Sequence, residues 1–304
     1  MLTRRTFLAG ATASQLCGWN SARAARTSVP LWPHQPPGGG GPTGPETNNH
    51  DRIRNISVPA MEVWSPARAN GTAVLVAGGG GYRSIALGTE SRPAARWLNE
   101  RNITAFVLSY RLPGEGWTDG PLAPLQDAQR ALRLIRAGAG QFGIDGERIG
   151  VLGFSAGGHL MGLAATRPEF RSYEPVDAAD DLSARPAFAA LIYPVITLQA
   201  PYDHTYTRRM LVGDHPTAAA AAQWSVETHV TARCPPVFLV QAKDDPISNP
   251  ANTVLMEKAC ERVGVPVELH QFPVGGHGFG MGRAGTPTAA WPAYFEKWLS
   301  AMVG

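Results

Sequence analysis

Lysine, cysteine, metal-spaced ligands and long apolar runs are all scarce in this chain, and each scarcity excludes a class of function. Charged residues make up only 17% of the 304 positions, the net charge is +3, and no block of like charge occurs. A nucleic-acid surface needs a basic stripe, commonly interleaved with aromatics, so nucleic acid is not an expected partner. Arginine greatly outnumbers lysine, but as a bias spread along the chain. No apolar run beyond the N-terminus approaches the ~20 residues that span a bilayer, so stable membrane insertion is not expected. His204, His215, His229 and His270 have no ligand partner at metal spacing, and no Gly-Lys-Ser/Thr completes a phosphate loop. Residues 280–285 match a dinucleotide fingerprint by letter, but no helix opens directly after them and no ribose-binding acid follows. Neither a metal nor an organic cofactor is therefore expected.

The cysteines are three. Cys17 lies near the N-terminus, outside a lipoprotein-type context because Leu16 directly precedes it. Cys234 and Cys260 flank a predicted strand and its returning helix, two legs of similar length, roughly 20 Å each, at ~3.3 and ~1.5 Å per residue. Two buried free thiols are expected; in an exported protein a disulfide is the alternative.

What is present begins with an address. Arg4 and Arg5 precede an apolar, small-residue run from Phe7 to Gly18, and Ala22-Arg23-Ala24 offers a small-x-small cleavage site. Residues 1–24 resemble a twin-arginine export signal, which predicts a periplasmic or secreted protein. An ordinary secretory signal carrying Arg-Arg would lead to the same destination. Residues 25–50 are rich in Pro and Gly and are expected as a linker or a strap, with Leu31 and Trp32 as anchors.

Residues 51–304 carry the rhythm of one α/β domain, and 44% hydrophobic residues suffice for one sizeable core. Strands are predicted over 53–58, 60–64, 72–77, 103–110, 149–152, 187–192, 237–242 and 267–272. Helices are predicted over 89–101, 125–139, 158–165, 217–222, 252–263 and 288–302, with 194–233 otherwise polar and irregular. Such alternation predicts a mostly parallel, doubly wound sheet with an antiparallel edge.

The chain is organised around residues 149–160. An apolar run ends in Gly153-Phe154-Ser155-Ala156-Gly157, and a small-residue helical pattern follows. That is strand, sharp turn and helix, with a serine at the strained point of the turn and helix N–H groups aimed at it. A serine nucleophile needs a base, an acid that orients the base, and donors for the oxyanion. Asp244-Asp245 and His277 follow the serine, each after a predicted strand, where catalytic groups of open parallel sheets gather. The glycine run 78–81 follows strand 72–77, so Gly80 and Gly81 are assigned as oxyanion donors with the N–H of Ala156. His159, one turn into the helix, is expected as a buried structural residue, and Asp177, Asp180 and Asp181 as a solvated turn or cap.

The motifs Leu31-Trp32-Pro33, Gly79-Gly80-Gly81-Tyr82, Tyr110-Arg111-Leu112-Pro113 and Pro124–Ala131 belong to the same picture, with Gly153–Leu160 and Gly275-Gly276-His277-Gly278-Phe279. From Pro30 onward the chain resembles a small bacterial esterase of the α/β-hydrolase superfamily, in the acetylxylan-esterase and feruloyl-esterase-like branch. The resemblance implies Ser155 as nucleophile, His277 as base and an Asp after the next-to-last strand. Relatives with a doubled Asp mostly use the first, which favours Asp244 over Asp245. They usually continue Val-Val-Pro, whereas this chain reads Pro246-Ile247-Ser248. The implied substrate is a short-chain acyl ester, above all acetyl on a plant-polysaccharide sugar such as xylan. Region 194–233, with Tyr82, Trp117 and Trp224, is expected to form a rim whose aromatic faces stack on sugar rings, with core packing the equal alternative for Trp224. The alternatives are a feruloyl or general carboxylesterase, a prolyl-oligopeptidase-type peptidase, and an exported carbohydrate-binding protein.

Overall fold

Gly71–Ala77 (β5) shows why the sheet forms where it does. All six residues after Gly71 are buried, Thr72 and then the apolar run 73–77, as suits a strand covered on both faces. The computed structural model describes residues 27–303, so the predicted export signal lies outside the described residues. The chain enters as Thr27–Pro30 (β1), Thr47–Asn49 (β2), Arg52–Arg54 (β3) and Ala60–Trp64 (β4) before reaching β5. Ile85–Ala86 (β6) then leads through a π-turn, Leu87–Ser91, into Arg92–Asn99 (α1). Thr104–Ser109 (β7), Ala123–Ala137 (α2), Ala139–Phe142 (α3), Ile144–Phe154 (β8) and Ala156–Thr166 (α4) follow. Ala189–Ile192 (β9), Tyr206–Val212 (α5), Ala218–Gln223 (α6), Val237–Ala242 (β10), Ala251–Arg262 (α7), Val267–Phe272 (β11) and Trp291–Val303 (α8) complete it.

Eight strands form one sheet in the order β1-β4-β7-β5-β8-β9-β10-β11, and a small antiparallel sheet joins β2, β3 and β6. Strands from β7 through β11 run parallel, while β4 and β1 add an antiparallel edge. The chain leaves β5 toward β7 on one side and returns to β8 on the other. The switch point therefore lies at the carboxyl ends of β5 and β8, where such sheets place their sites.

Three local features depart from the sequence pattern. The strand predicted over 53–58 stops at Arg54, because Asn55 takes φ +60° and the N–H groups of Asn55 and Ile56 turn to the Glu115 carboxylate. The helix predicted from 89 opens as a π-turn, which rotates Glu90 inward until it is buried. Within 194–233, Thr205 caps an unpredicted helix α5 by accepting the Arg208 N–H.

The Pro/Gly segment is a strap. Leu31 and Trp32 are buried, and the Trp32 indole N–H donates to Asp127 at 2.8 Å. Asp127 in turn pairs with fully buried Arg111 at 2.9 Å, and Arg111 donates to the Pro37 carbonyl. Cys234 and Cys260 are free and buried, as the residue pattern predicted. Burial, with the neighbouring Cys234, pushes the Cys260 thiol up to about 12.

Candidate active site

Ser155 sits between β8 and α4 at φ 51° and ψ −118°, a region L-residues rarely occupy and that costs ~1–3 kcal/mol. The surroundings fix it there. Its N–H donates to the Ile192 carbonyl at 3.0 Å, and a Cβ on Gly157 would stand 2.3 Å from the Ala77 carbonyl oxygen. The turn thus packs directly on the end of β5, and the serine hydroxyl projects over the sheet edge.

The His277 Nε2 lies 2.8 Å from the Ser155 hydroxyl oxygen, and its Nδ1 lies 2.7 Å from Asp245 Oδ2. A carboxylate facing Nδ1 requires a hydrogen there, which leaves Nε2 as acceptor for the serine hydroxyl. The Asp245 side chain is buried, and its other oxygen accepts the N–H groups of Ile247 and Ser248 at 2.8 and 2.9 Å. Gln241 adds a fourth donor, to Oδ2 at 2.9 Å.

This corrects the choice between the paired acids. Asp244, favoured by the resemblance, instead accepts the N–H groups of Gly275 and Gly276 at 2.9 and 2.8 Å, shaping the loop that presents His277. Both carboxylates meet the 275–277 loop, Asp244 at its backbone and Asp245 at the imidazole. The turn that delivers two N–H groups to Asp245 selects it for the histidine.

Gly80 and Gly81 line the same cleft as Ser155 and His277. Their N–H groups make no hydrogen bond among the described residues, nor does that of Ala156 at the start of α4, where helix N–H groups have no internal partner. The N–H of Gly79 is committed elsewhere, to Glu90 Oε2 at 2.6 Å. A Cβ on Gly79 would stand 2.7 Å from the Ser155 Cβ, so the glycine brings loop and elbow together. The other Glu90 oxygen accepts the Tyr193 hydroxyl at 3.0 Å, and the Tyr193 ring meets His277 edge-on at 4.9 Å. Glu90 therefore ties the glycine loop to the support of the histidine. Burial raises its pKa, against the pull of the Gly79 and Tyr193 hydrogen bonds. A lone acid in a predicted helix gave no sign of this role; the π-turn creates it.

The aromatic rim is a second correction. Tyr82 is 1% exposed and gives its hydroxyl to His159 Nδ1 at 3.0 Å. Trp117 is buried under the strap, where a Cβ on Gly41 would meet its ring at 2.5 Å. Trp224 is buried, which settles its two readings in favour of core packing, and its carbonyl accepts from His159 Nε2 at 2.7 Å. In each case ring area was better satisfied against neighbouring apolar surface than at the mouth. His159 is the buried structural residue its position suggested: burial lowers its pKa to about 4, and it stays neutral between its two partners. Asp177 is the helix cap that its position suggested, accepting the Ala179 N–H at 3.0 Å, and it and Asp180 also pair with Arg130. Exposed Tyr206 and Ile247 form the wall of the cleft instead, whose volume is about 450 Å³.

The arrangement can carry a proton from a serine hydroxyl to an imidazole whose far nitrogen is held by a buried carboxylate. It also presents backbone N–H groups beside that hydroxyl.

Residues 61–260 match the family described as BD-FAE. The chain is 34% identical to the endo-1,4-beta-xylanase B of Butyrivibrio fibrisolvens over 74% of its own length and 34% of that protein's. It is 30% identical to the acetylxylan esterase of Xylanibacter ruminicola, over 80% of its own length and 46% of the relative's. The chain thus spans a third to a half of the length of these relatives. Among solved structures, an acetyl ester-xyloside bifunctional hydrolase from Caldicellulosiruptor lactoaceticus superposes with a TM-score of 0.77 at 33% identity, covering 91% of this chain and 96% of that one. The Thermogutta terrifontis esterase 2, at 22% identity and a TM-score of 0.69, shares the fold.

Proposed function

The chain belongs to the BD-FAE family of α/β-hydrolase-type esterases, and from that premise we propose that it is a serine esterase acting on short acyl esters, acetyl on xylan-type sugars foremost. The observation that carries the reading is the unbroken line from Ser155 through His277 to buried Asp245, at 2.8 and 2.7 Å, beside a glycine loop. His277 takes the Ser155 proton as the hydroxyl oxygen attacks the ester carbonyl. The N–H groups of Gly80, Gly81 and Ala156 hold the oxyanion, each such donor being worth ~3 kcal/mol. The imidazolium returns its proton to the departing alcohol, and water, activated by the same imidazole, releases the acid from Ser155. Asp245 stays charged throughout and holds the ring.

The substrate class rests on the relatives' names, an acetylxylan esterase and a xylanase among them, and on an open cleft walled by Tyr206 and Ile247. An exported location rests on the paired arginines and the Ala22-Arg23-Ala24 site. A panel of 4-nitrophenyl esters of increasing chain length, run beside acetylated xylan, tests the reading. Acetate released from xylan, with turnover falling as the acyl chain lengthens, is expected. Cleavage of long chains with no acetate released from xylan would overturn the sugar-acetyl reading.

A further inference from the structure

Three guanidinium groups line the cleft that holds Ser155 and His277: Arg52, Arg54 and Arg83. All three are exposed, and none forms an ion pair among the described residues. Neighbouring arginines are neutralised: Arg92 by Asp51 and Glu62, Arg209 by Asp214. The acid that lines the cleft, Glu90, is buried, with both oxygens turned to Gly79 and Tyr193.

Two of the three guanidiniums are also held in place. Arg52 donates to the Ser84 hydroxyl at 3.0 Å, and Arg83 lies over the Tyr206 ring at 4.5 Å. Arg52 and Arg54 stand on the same face of β3, either side of buried Ile53, which anchors that strand. Unpaired, water-facing guanidiniums of one sign around a cleft attract and steer an anion, and their planar donor forks suit a carboxylate.

We propose that the cleft selects esters that carry a second group with negative charge, a carboxylate, which Arg54 and Arg83 receive while the ester carbonyl lies at Ser155. A uronate-bearing acetylated oligosaccharide is the sugar ester of that chemistry. The proposal rests on the esterase reading above and adds a substrate charge to it.

The test compares esters matched except for charge, with the carboxylate on either side of the scissile bond. On the alcohol side, 4-acetoxybenzoate is paired with 4-acetoxybenzamide; on the acyl side, 4-nitrophenyl hemiglutarate is paired with 4-nitrophenyl pentanoate, which has the same number of acyl carbons. The intact protein is expected to show a higher kcat/KM for the charged member of at least one pair, and that pair identifies the side. The advantage is expected to fall by about threefold or more as salt rises to ~0.5 M, since exposed charges are screened. In the Arg54→Gln/Arg83→Gln double variant the charged-to-neutral ratio is expected to drop by about tenfold. Arg52 is left in place because it braces Ser84 beside the glycine loop. A ratio unchanged by the substitutions and by salt overturns the anion proposal while leaving the esterase reading intact. Failure to cleave any of the four esters overturns both.

Discussion

Replacing each member of the Asp244-Asp245 pair by Asn separates their roles. Asp245 Oδ1 accepts two backbone N–H groups, from Ile247 and Ser248. In Asp245→Asn the amide oxygen is held on that side, and the NH₂ group faces His277 Nδ1. Two donors cannot share the contact, so the ring adopts the tautomer with its hydrogen on Nε2. That nitrogen then donates toward Ser155 and cannot take its proton. Loss of the correct tautomer costs three to four decades in kcat, or about 4–5.5 kcal/mol of transition-state stabilisation at ~1.36 kcal/mol per decade. Asp244→Asn keeps an acceptor oxygen for Gly275 and Gly276 and loses only the charge assistance of two hydrogen bonds, so less than about tenfold is expected. Steady-state kcat on 4-nitrophenyl acetate for the two variants, with circular dichroism to check folding, decides the matter. A larger loss in Asp244→Asn than in Asp245→Asn would refute the reasoning.

Three further outcomes follow from buried groups. His159 is depressed from 6.5 to about 4 by burial, so the folded state binds its proton less well than the unfolded state. The stability it contributes is complete above 6.5 and lost as pH falls through about 4, roughly 2–3 kcal/mol by pH ~4.5. Urea titrations of wild type and His159→Gln should converge by that amount between pH ~7.5 and ~4.5, and parallel curves would contradict the assignment. Glu90 is raised above 4.5 by burial, so its stabilising protonated form is complete below 4.5 and stability is lost as pH rises through the raised value. The Tm of Glu90→Gln should gain on that of wild type as pH rises from ~4 to ~8, and a constant gap would argue against an ionising Glu90. Asp127→Ala leaves the guanidinium of Arg111 buried and frees Trp32; a loss of about 3–5 kcal/mol is expected, read as the urea midpoint at constant slope. A loss below ~1 kcal/mol would show that the strap is held otherwise.

The parts legible in the sequence were those set by local chemistry. A nucleophile elbow is written in five residues: a Cβ on Gly153 would meet the Gly157 carbonyl inside the turn at 2.3 Å, and one on Gly157 would meet the end of β5 against which every such turn packs. The mostly parallel sheet could be anticipated because apolar runs alternate with helical patterns. Asp244 and Asp245 could not be separated in this way, since their roles depend on which of two adjacent carboxylates meets the N–H groups of Ile247 and Ser248. Tyr82 and Trp117 misled for a related reason. An aromatic beside a glycine loop reads as a rim residue, yet Tyr82 turns inward at φ +57° to reach His159, and the strap closes over Trp117. The clue to the arginines was present in Arg52-Ile53-Arg54, whose alternation puts one apolar residue in and two cations out. It pointed to a strand, and only the packing of that strand beside β6 carried the cations to the cleft.

The central claim is that Ser155 is the nucleophile. Treating the intact protein with a fluorophosphonate and mapping the adduct by peptide mass spectrometry, in wild type and Ser155→Ala, tests it most directly. One adduct on Ser155, abolished in the variant together with acetate release, is the predicted result. An adduct on another residue, or ester hydrolysis undiminished in Ser155→Ala, would contradict it.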